Sequence, residues 1–154
     1  MQLDLAPRIA SIEDHLPRVA PPVPGELVAV LEEDVSAARR VDTLLRNLGY
    51  RVLAFTSPGA GLPLVATHTV DLVIAQHPAS PRHAARLLAI ARRAVGLRRP
   101  GFVVVTDDPG SLSALERQTY DAIVRRPICR VELLAALRRA GMRRSTPRRP
   151  VLVH

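Results

Sequence analysis

The sequence predicts an α/β fold, a parallel sheet of five buried strands with helices on both faces. Three observations carry this. Short apolar runs recur without polar alternation, as strands covered on both faces require. Stretches with helical spacing separate those runs, the layout of a parallel sheet built from crossover units. The chain has 154 residues and is 47% hydrophobic, yet holds only two Phe, two Tyr and no Trp. One domain with an aliphatic core fits that length and composition.

The elements follow in order. Residues 1–25 read as an N-terminal extension. It can form a short helix over 8–16 and ends in Pro21-Pro22-Val23-Pro24-Gly25, a stiff linker because proline fixes φ and removes donors. Regular patterning starts at Glu26 and runs to residue 140. Leu27–Leu31 is the first strand. Residues 35–48 place Val41, Leu44, Leu45 and Leu48 on one helical side, and Gly49 stands where a helix end favours glycine. Val52–Phe55 is a strand. Residues 58–67 read as a weak helix, interrupted by Gly59, Gly61 and Pro63. Leu72–Ala75 is a strand and 82–95 a strong helix, marked by Ala85, Leu88, Ala89 and Arg92. Phe102–Val105 is the most apolar strand. A short helix over 111–117, a strand over Ala122–Val124 and a helix over 130–140 complete the unit. Right-handed crossovers divide the helices between the two faces. Residues 141–154 form a basic tail that contains Arg143, Arg144, Arg148 and Arg149.

Composition excludes several kinds of chemistry. All 22 basic residues are arginine, so Schiff-base, lysine-base and P-loop lysine chemistry are absent. The lone Cys129 excludes an internal disulfide or a multi-cysteine zinc site, and points to the cytoplasm. It reads as a small buried hydrophobe at a helix start. No apolar run reaches the roughly 18–20 residues of a membrane span, and the acid-bearing N-terminus is no signal peptide. The net charge of +8 raises the question of nucleic acid. Its distribution argues against it: residues 26–140 carry about +5, with arginine pairs at helical spacing that read as solvated faces. Binding through the tail alone would be weak, non-specific and salt-dependent. No glycine-rich loop opens the helix at 35, and no Gly-x-Ser-x-Gly elbow occurs, so nucleotide-loop and serine-hydrolase enzymes are disfavoured. The chain reads as a non-enzyme.

In such a sheet, ligands bind beyond the carboxyl ends of the strands. The residues just after the strands are Glu32, Glu33 and Asp34; Gln76 and His77; Thr106, Asp107 and Asp108; and Arg125, Arg126 and Pro127. Together with Leu45–Val52, Asp71–Gln76, Val103–Thr106 and the Glu132-Leu133-Leu134 that follows Arg126-Pro127, this order resembles the receiver domains of two-component response regulators. The resemblance covers about residues 26–140. It implies a flavodoxin-like three-layer sandwich of strand order 2-1-3-4-5 with five helices. It also implies a phosphoacceptor pocket that uses an acidic pair, an acceptor aspartate, a hydroxyl and a lysine before proline.

Those parts carry over incompletely. Glu32 and Glu33 match the acidic pair and Thr106 the hydroxyl. Gln76 falls on the acceptor position and Arg126 on the lysine position. Ile123 replaces the usual aromatic, Ser80-Pro81 stand where proline and Asp-Gly are usual, and the fourth helix is short. A glutamine oxygen is neutral and cannot form an acyl phosphate. It also removes a negative charge from the cation site, so Mg²⁺ binding is expected to be weak or absent, with Glu33 and Asp34 as weak metal candidates. Arg126 is a planar fork rather than a point charge and is expected to pair with Glu33 or Asp34. The expectation is a degenerate receiver, without a cofactor, that regulates through a signalling protein partner or a self-dimer. The family's face of helix four, strand five and helix five would supply Leu112, Leu115, Ile123, Arg130, Val131, Leu134 and Arg138.

Smaller features read plainly. His77 and His83 lack a third metal ligand, and His77 reads as a solvated loop histidine rather than a substitute phosphoacceptor. Asp107 and Asp108 read as caps of helix four. Two other functions stay open. One is sensing of a phosphorylated small ligand such as a cyclic dinucleotide, through Arg125 and Arg126 or the tail. The other is an active phospho-receiver that uses another residue.

Overall fold

The computed structural model describes residues 26–67, 69–93 and 100–145. The expected helix over 8–16, the proline-rich linker and the end of the basic tail, with Arg148 and Arg149, lie outside them. The strands are β1 (Leu27–Leu31), β2 (Arg51–Phe55), β3 (Leu72–Gln76), β4 (Gly101–Thr106) and β5 (Ala122–Arg125). The helices are α1 (Val35–Asn47), α2 (Pro58–Thr67), α3 (Pro81–Arg93), α4 (Ala114–Thr119) and α5 (Arg130–Ser145). All neighbouring strands run parallel, in the order β2-β1-β3-β4-β5.

The helices cover the sheet in two layers. On one face Val41 and Leu45 of α1 join Leu133, Ala136, Leu137 and Ala140 of α5 over Val28, Val30, Val103 and Val105. On the other, Leu62 and Val65 of α2, with Leu87 and Ala91 of α3, close over Ala29, Val73, Phe102 and Val104. Alternate residues of each strand point to opposite faces, so both must be apolar. This explains the runs without polar alternation.

Acids at the amino ends of two strands hold the neighbouring strands in register. The Leu27 N–H donates to Asp71 Oδ2 at 2.7 Å, and the Phe102 N–H to Asp121 Oδ2 at 2.7 Å. Asp34 caps α1, with its Oδ1 accepting from the Ala37 N–H at 3.1 Å. Gly49 follows that helix at φ 96°, a left-handed conformation that favours glycine.

Two elements and one residue depart from the expectation. The expected helix over 111–117 is a 3₁₀ turn at Pro109–Ser111 followed by α4. Asp108 caps only the turn, by accepting from the Gly110 N–H at 3.0 Å. Ser113 caps α4, with a reciprocal bond from its own N–H to Glu116. The last helix continues past residue 140 to Ser145. Cys129 is exposed rather than buried, because it precedes α5 on the loop rather than on the face that meets the sheet.

Candidate functional site

The carboxyl ends of β1, β3, β4 and β5 meet at one rim, as the parallel order requires. Glu32 follows β1 directly and is only 4% exposed. Its two oxygens are both engaged: Oε1 accepts from the Asp34 N–H at 3.1 Å and Oε2 pairs with Arg126 Nη2. This corrects the expected partner of Arg126, which was Glu33 or Asp34. The β1–α1 chain turns Asp34 outward to cap α1 and leaves the buried Glu32 carboxylate under the guanidinium. Such a carboxylate needs a counter-charge where an exposed one does not.

Gln76 ends β3, and its Oε1 accepts from the Glu33 N–H at 3.0 Å. Beside it, between Glu32, Glu33, Pro58 and Pro78, the space amounts to about 10 Å³, room for about one water. Thr106 is buried at the end of β4, and its Oγ1 accepts from the Asp108 N–H at 3.2 Å. Hydrogen bonding from the Ala37 N–H holds the Asp34 carboxyl below its ordinary pKa, and the Arg126 and Arg40 charges add to this. Glu32, Gln76, Thr106 and Arg126 therefore come to one rim. Asp34 sits at its edge.

No family model and no curated protein matches the sequence. Solved structures do match the fold. A response regulator receiver domain (CheY-like) from Methylobacillus flagellatus superposes with a TM-score of 0.61 at 21% identity, over 75% of this chain and 98% of that one. A sensor protein from Polaromonas sp. JS666 superposes with a TM-score of 0.65 at 19% identity, over 77% and 98%. The signal receiver domain of an HD domain-containing protein from Pseudomonas fluorescens Pf-5 does so with a TM-score of 0.61 at 25% identity, over 77% and 96%. The chain has the receiver-domain fold.

Within that receiver fold, the expected contact face is only partly a surface. Leu115 of α4 and Val131 of α5 are 42% and 67% exposed. Ile123 is half-buried, and Arg138 is exposed. Leu112 is buried, because the 3₁₀ turn folds it inward, and it is no contact residue. Arg130 lines a cleft shared with Arg40 and Leu44 of α1, so it faces α1 rather than α4. Leu134, one turn further along α5, packs partly against the core.

One receiver-rim pair escaped the sequence reading. His77 is not a solvated loop histidine: its Nε2 lies 2.6 Å from Glu116 Oε2, with side-chain exposures of 19% and 14%. Burial pushes the Glu116 carboxyl up, but hydrogen bonds from Ser113 and His77 outweigh this and leave its pKa below the ordinary value. The pair ties the residue after Gln76 to α4. Its sequence signal was the Ser113-x-x-Glu116 capping spacing, which fixes Glu116 at the helix start. Among the described residues, no group of three or more His, Cys, Asp or Glu is placed to hold a metal ion. No helix among them is long and apolar enough to cross a membrane.

Proposed function

We propose that this chain is a receiver-like signalling module that regulates by protein–protein contact, without phosphoryl transfer at Gln76. The observation that carries this reading is the state of Gln76. It stands at the end of β3 where an active receiver would present aspartate, and its oxygen already accepts the Glu33 N–H. An amide oxygen has no anionic lone pair with which to attack phosphorus.

The surrounding groups support the same conclusion. Mg²⁺ asks for carboxylate and water oxygens in near-octahedral geometry. Here the buried carboxylate is Glu32, engaged by Arg126 and the Asp34 N–H, Glu33 is exposed, and Gln76 offers a neutral amide. That set does not suit Mg²⁺. Arg126, on the position that the resemblance gives to a lysine, is drawn to Glu32 instead. Regulation then falls to surfaces, and Leu115, Ile123, Val131 and Arg138 form the apolar and cationic patch for a signalling protein or a second copy.

The test is intact-mass measurement after incubation with acetyl phosphate and Mg²⁺, with an active receiver in the same tube as control. The expected result is an unmodified mass for this chain and an adduct on the control. An adduct on this chain overturns the proposal. If that adduct survives in Gln76→Ala, the chain is an active receiver that uses another residue.

A further inference from the structure

A cleft of about 420 Å³ opens between α1 and α5 at the carboxyl rim. It lies on the face of the sheet opposite the closed space beside Gln76, and nothing in the reading of Gln76 depends on it. Its size falls in the range of small-molecule pockets, roughly 300–1,000 Å³. The floor is apolar, made by Val41 and Leu44 of α1, Ile128 of the loop after β5 and Leu133 of α5. The mouth carries Arg40, Arg126 and Arg130, with Asp34 and Asp107.

Asp34 and Asp107 balance part of the positive charge at the mouth, but among the described residues Arg40 and Arg130 are not engaged by hydrogen bonds. Arg126 is held through Nη2 by Glu32, while its Nε is buried without a hydrogen-bond partner. Arg40 and Arg130 are exposed and make no hydrogen bond or ion pair with the described residues. Two free guanidinium groups beside an apolar floor recognise an anion with an apolar body, since the planar fork suits phosphate or carboxylate oxygens. Asp107 and the second oxygen of Asp34 offer acceptors for N–H donors on the same ligand. An anionic group, a flat ring and N–H donors on the base, ring or exocyclic, occur together in nucleoside phosphates.

We propose that the α1–α5 cleft binds a nucleoside monophosphate, with the phosphate on Arg40 and Arg130 and the base over the half-buried Leu44 and Ile128. The contacts differ from those that the strand-end positions alone would choose, since Arg125 does not line the cleft.

Isothermal titration of the full chain with AMP, GMP, CMP and UMP tests this, with the nucleosides and inorganic phosphate as controls. At least one nucleotide is expected to bind at one site per chain. It should bind about tenfold or more tighter than its nucleoside or inorganic phosphate, because charge and ring contribute separately. Arg40→Glu with Arg130→Glu should weaken it by at least about tenfold, and the milder Arg40→Gln with Arg130→Gln in the same direction. Arg82→Glu with Arg86→Glu on α3, both exposed, makes the same change in net charge and should leave affinity unchanged. Saturable binding by none of the four nucleotides overturns the proposal. So does inorganic phosphate binding as tightly as the nucleotides, or affinity that survives both double variants. Sedimentation that shows a dimer dissolved by those variants would assign the cleft to a second copy, and overturns it as well.

Discussion

Arg126 spans the rim from the end of β5 to Glu32 at the end of β1, and the pair is buried unequally: Glu32 is 4% exposed, and the Arg126 side chain 20%. Breaking a buried pair by removing one partner costs about 3–5 kcal/mol. Arg126 is partly solvated and Glu32 keeps the Asp34 N–H, so Arg126→Ala should cost less, about 2–3 kcal/mol in urea unfolding. Adding Glu32→Gln should restore much of that loss, because it removes the orphaned charge. A double variant no more stable than Arg126→Ala would refute this account. The second residue-scale prediction concerns pH. The Glu116 carboxyl has its folded pKa below the ordinary value of 4.5. Its stabilising contribution is therefore complete above about that pH and is lost as pH falls through the folded value. Between pH 5 and the acid limit, about pH 3, the wild-type urea midpoint should fall more steeply than that of Glu116→Gln; equal slopes would remove the pair from the stability of the rim. At this scale the sequence made Gln76 legible, because β3 has a register set by Asp71. The partners of Arg126 and His77 were not legible. Each spans dozens of residues, and the choice among Glu32, Glu33 and Asp34 depends on which of them the turn after β1 buries.

The second helix shows how an element with three apparent breakers forms. Pro58 occupies its first position, where the missing N–H has no intrahelical partner to lose. Pro63 sits inside the helix and removes one bond to the carbonyl of Gly59 in the first turn. Gly61 lets the helix lie close on the sheet: a Cβ there would come within 2.2 Å of Leu31 Cδ2 and 3.0 Å of Phe55 Cβ. Leu31 can rotate, but Phe55 Cβ is fixed to its strand. Gly61→Ala should therefore lift α2 and cost about 1–3 kcal/mol, the usual cost of overpacking. Gly59→Ala meets nothing nearer than Ser57 Oγ at 3.6 Å and should be neutral or stabilising by up to about 1 kcal/mol from helix propensity. Thermal or urea midpoints of the two variants check the contrast, and equal effects would mean that the close approach does not govern α2. The same contrast explains what was legible among the elements. Buried strands and the α1, α3 and α5 faces follow from apolar spacing. The break at Pro109–Ser111 and the inward turn of Leu112 follow from local capping by Asp108 and Ser113, which spacing alone does not encode.

Across the molecule, parallel strands and right-handed crossovers put α1 and α5 on one face and α2 and α3 on the other. The two proposed surfaces then separate by geometry. The α1–α5 seam is concave and holds Arg40 and Arg130. The β5 side carries the exposed Leu115 and Val131 and the half-buried Ile123, with Arg138 and Arg139 exposed on α5. Strand order was legible through the resemblance at the strand ends; the division of arginines between cleft and edge was not, because eight residues of α5, about two turns, leave Arg130 and Arg138 at different neighbours. Val131 is the most exposed large apolar residue in the described chain at 67%, and it carries the last prediction. Val131→Asp with Arg138→Glu touches only exposed positions, so stability should stay within about 0.5 kcal/mol of wild type. If the edge is a self-interface, wild type sediments as a dimer and the variant as a monomer. If it serves a partner, wild type is monomeric and co-purifies from its source cell with a protein that the variant loses. A variant that keeps both the dimer and the partner would remove the β5 edge from the mechanism. Sedimentation of the two proteins side by side, followed by affinity capture with each as bait, distinguishes the outcomes, and a matched urea midpoint ensures that a lost contact is not a lost fold.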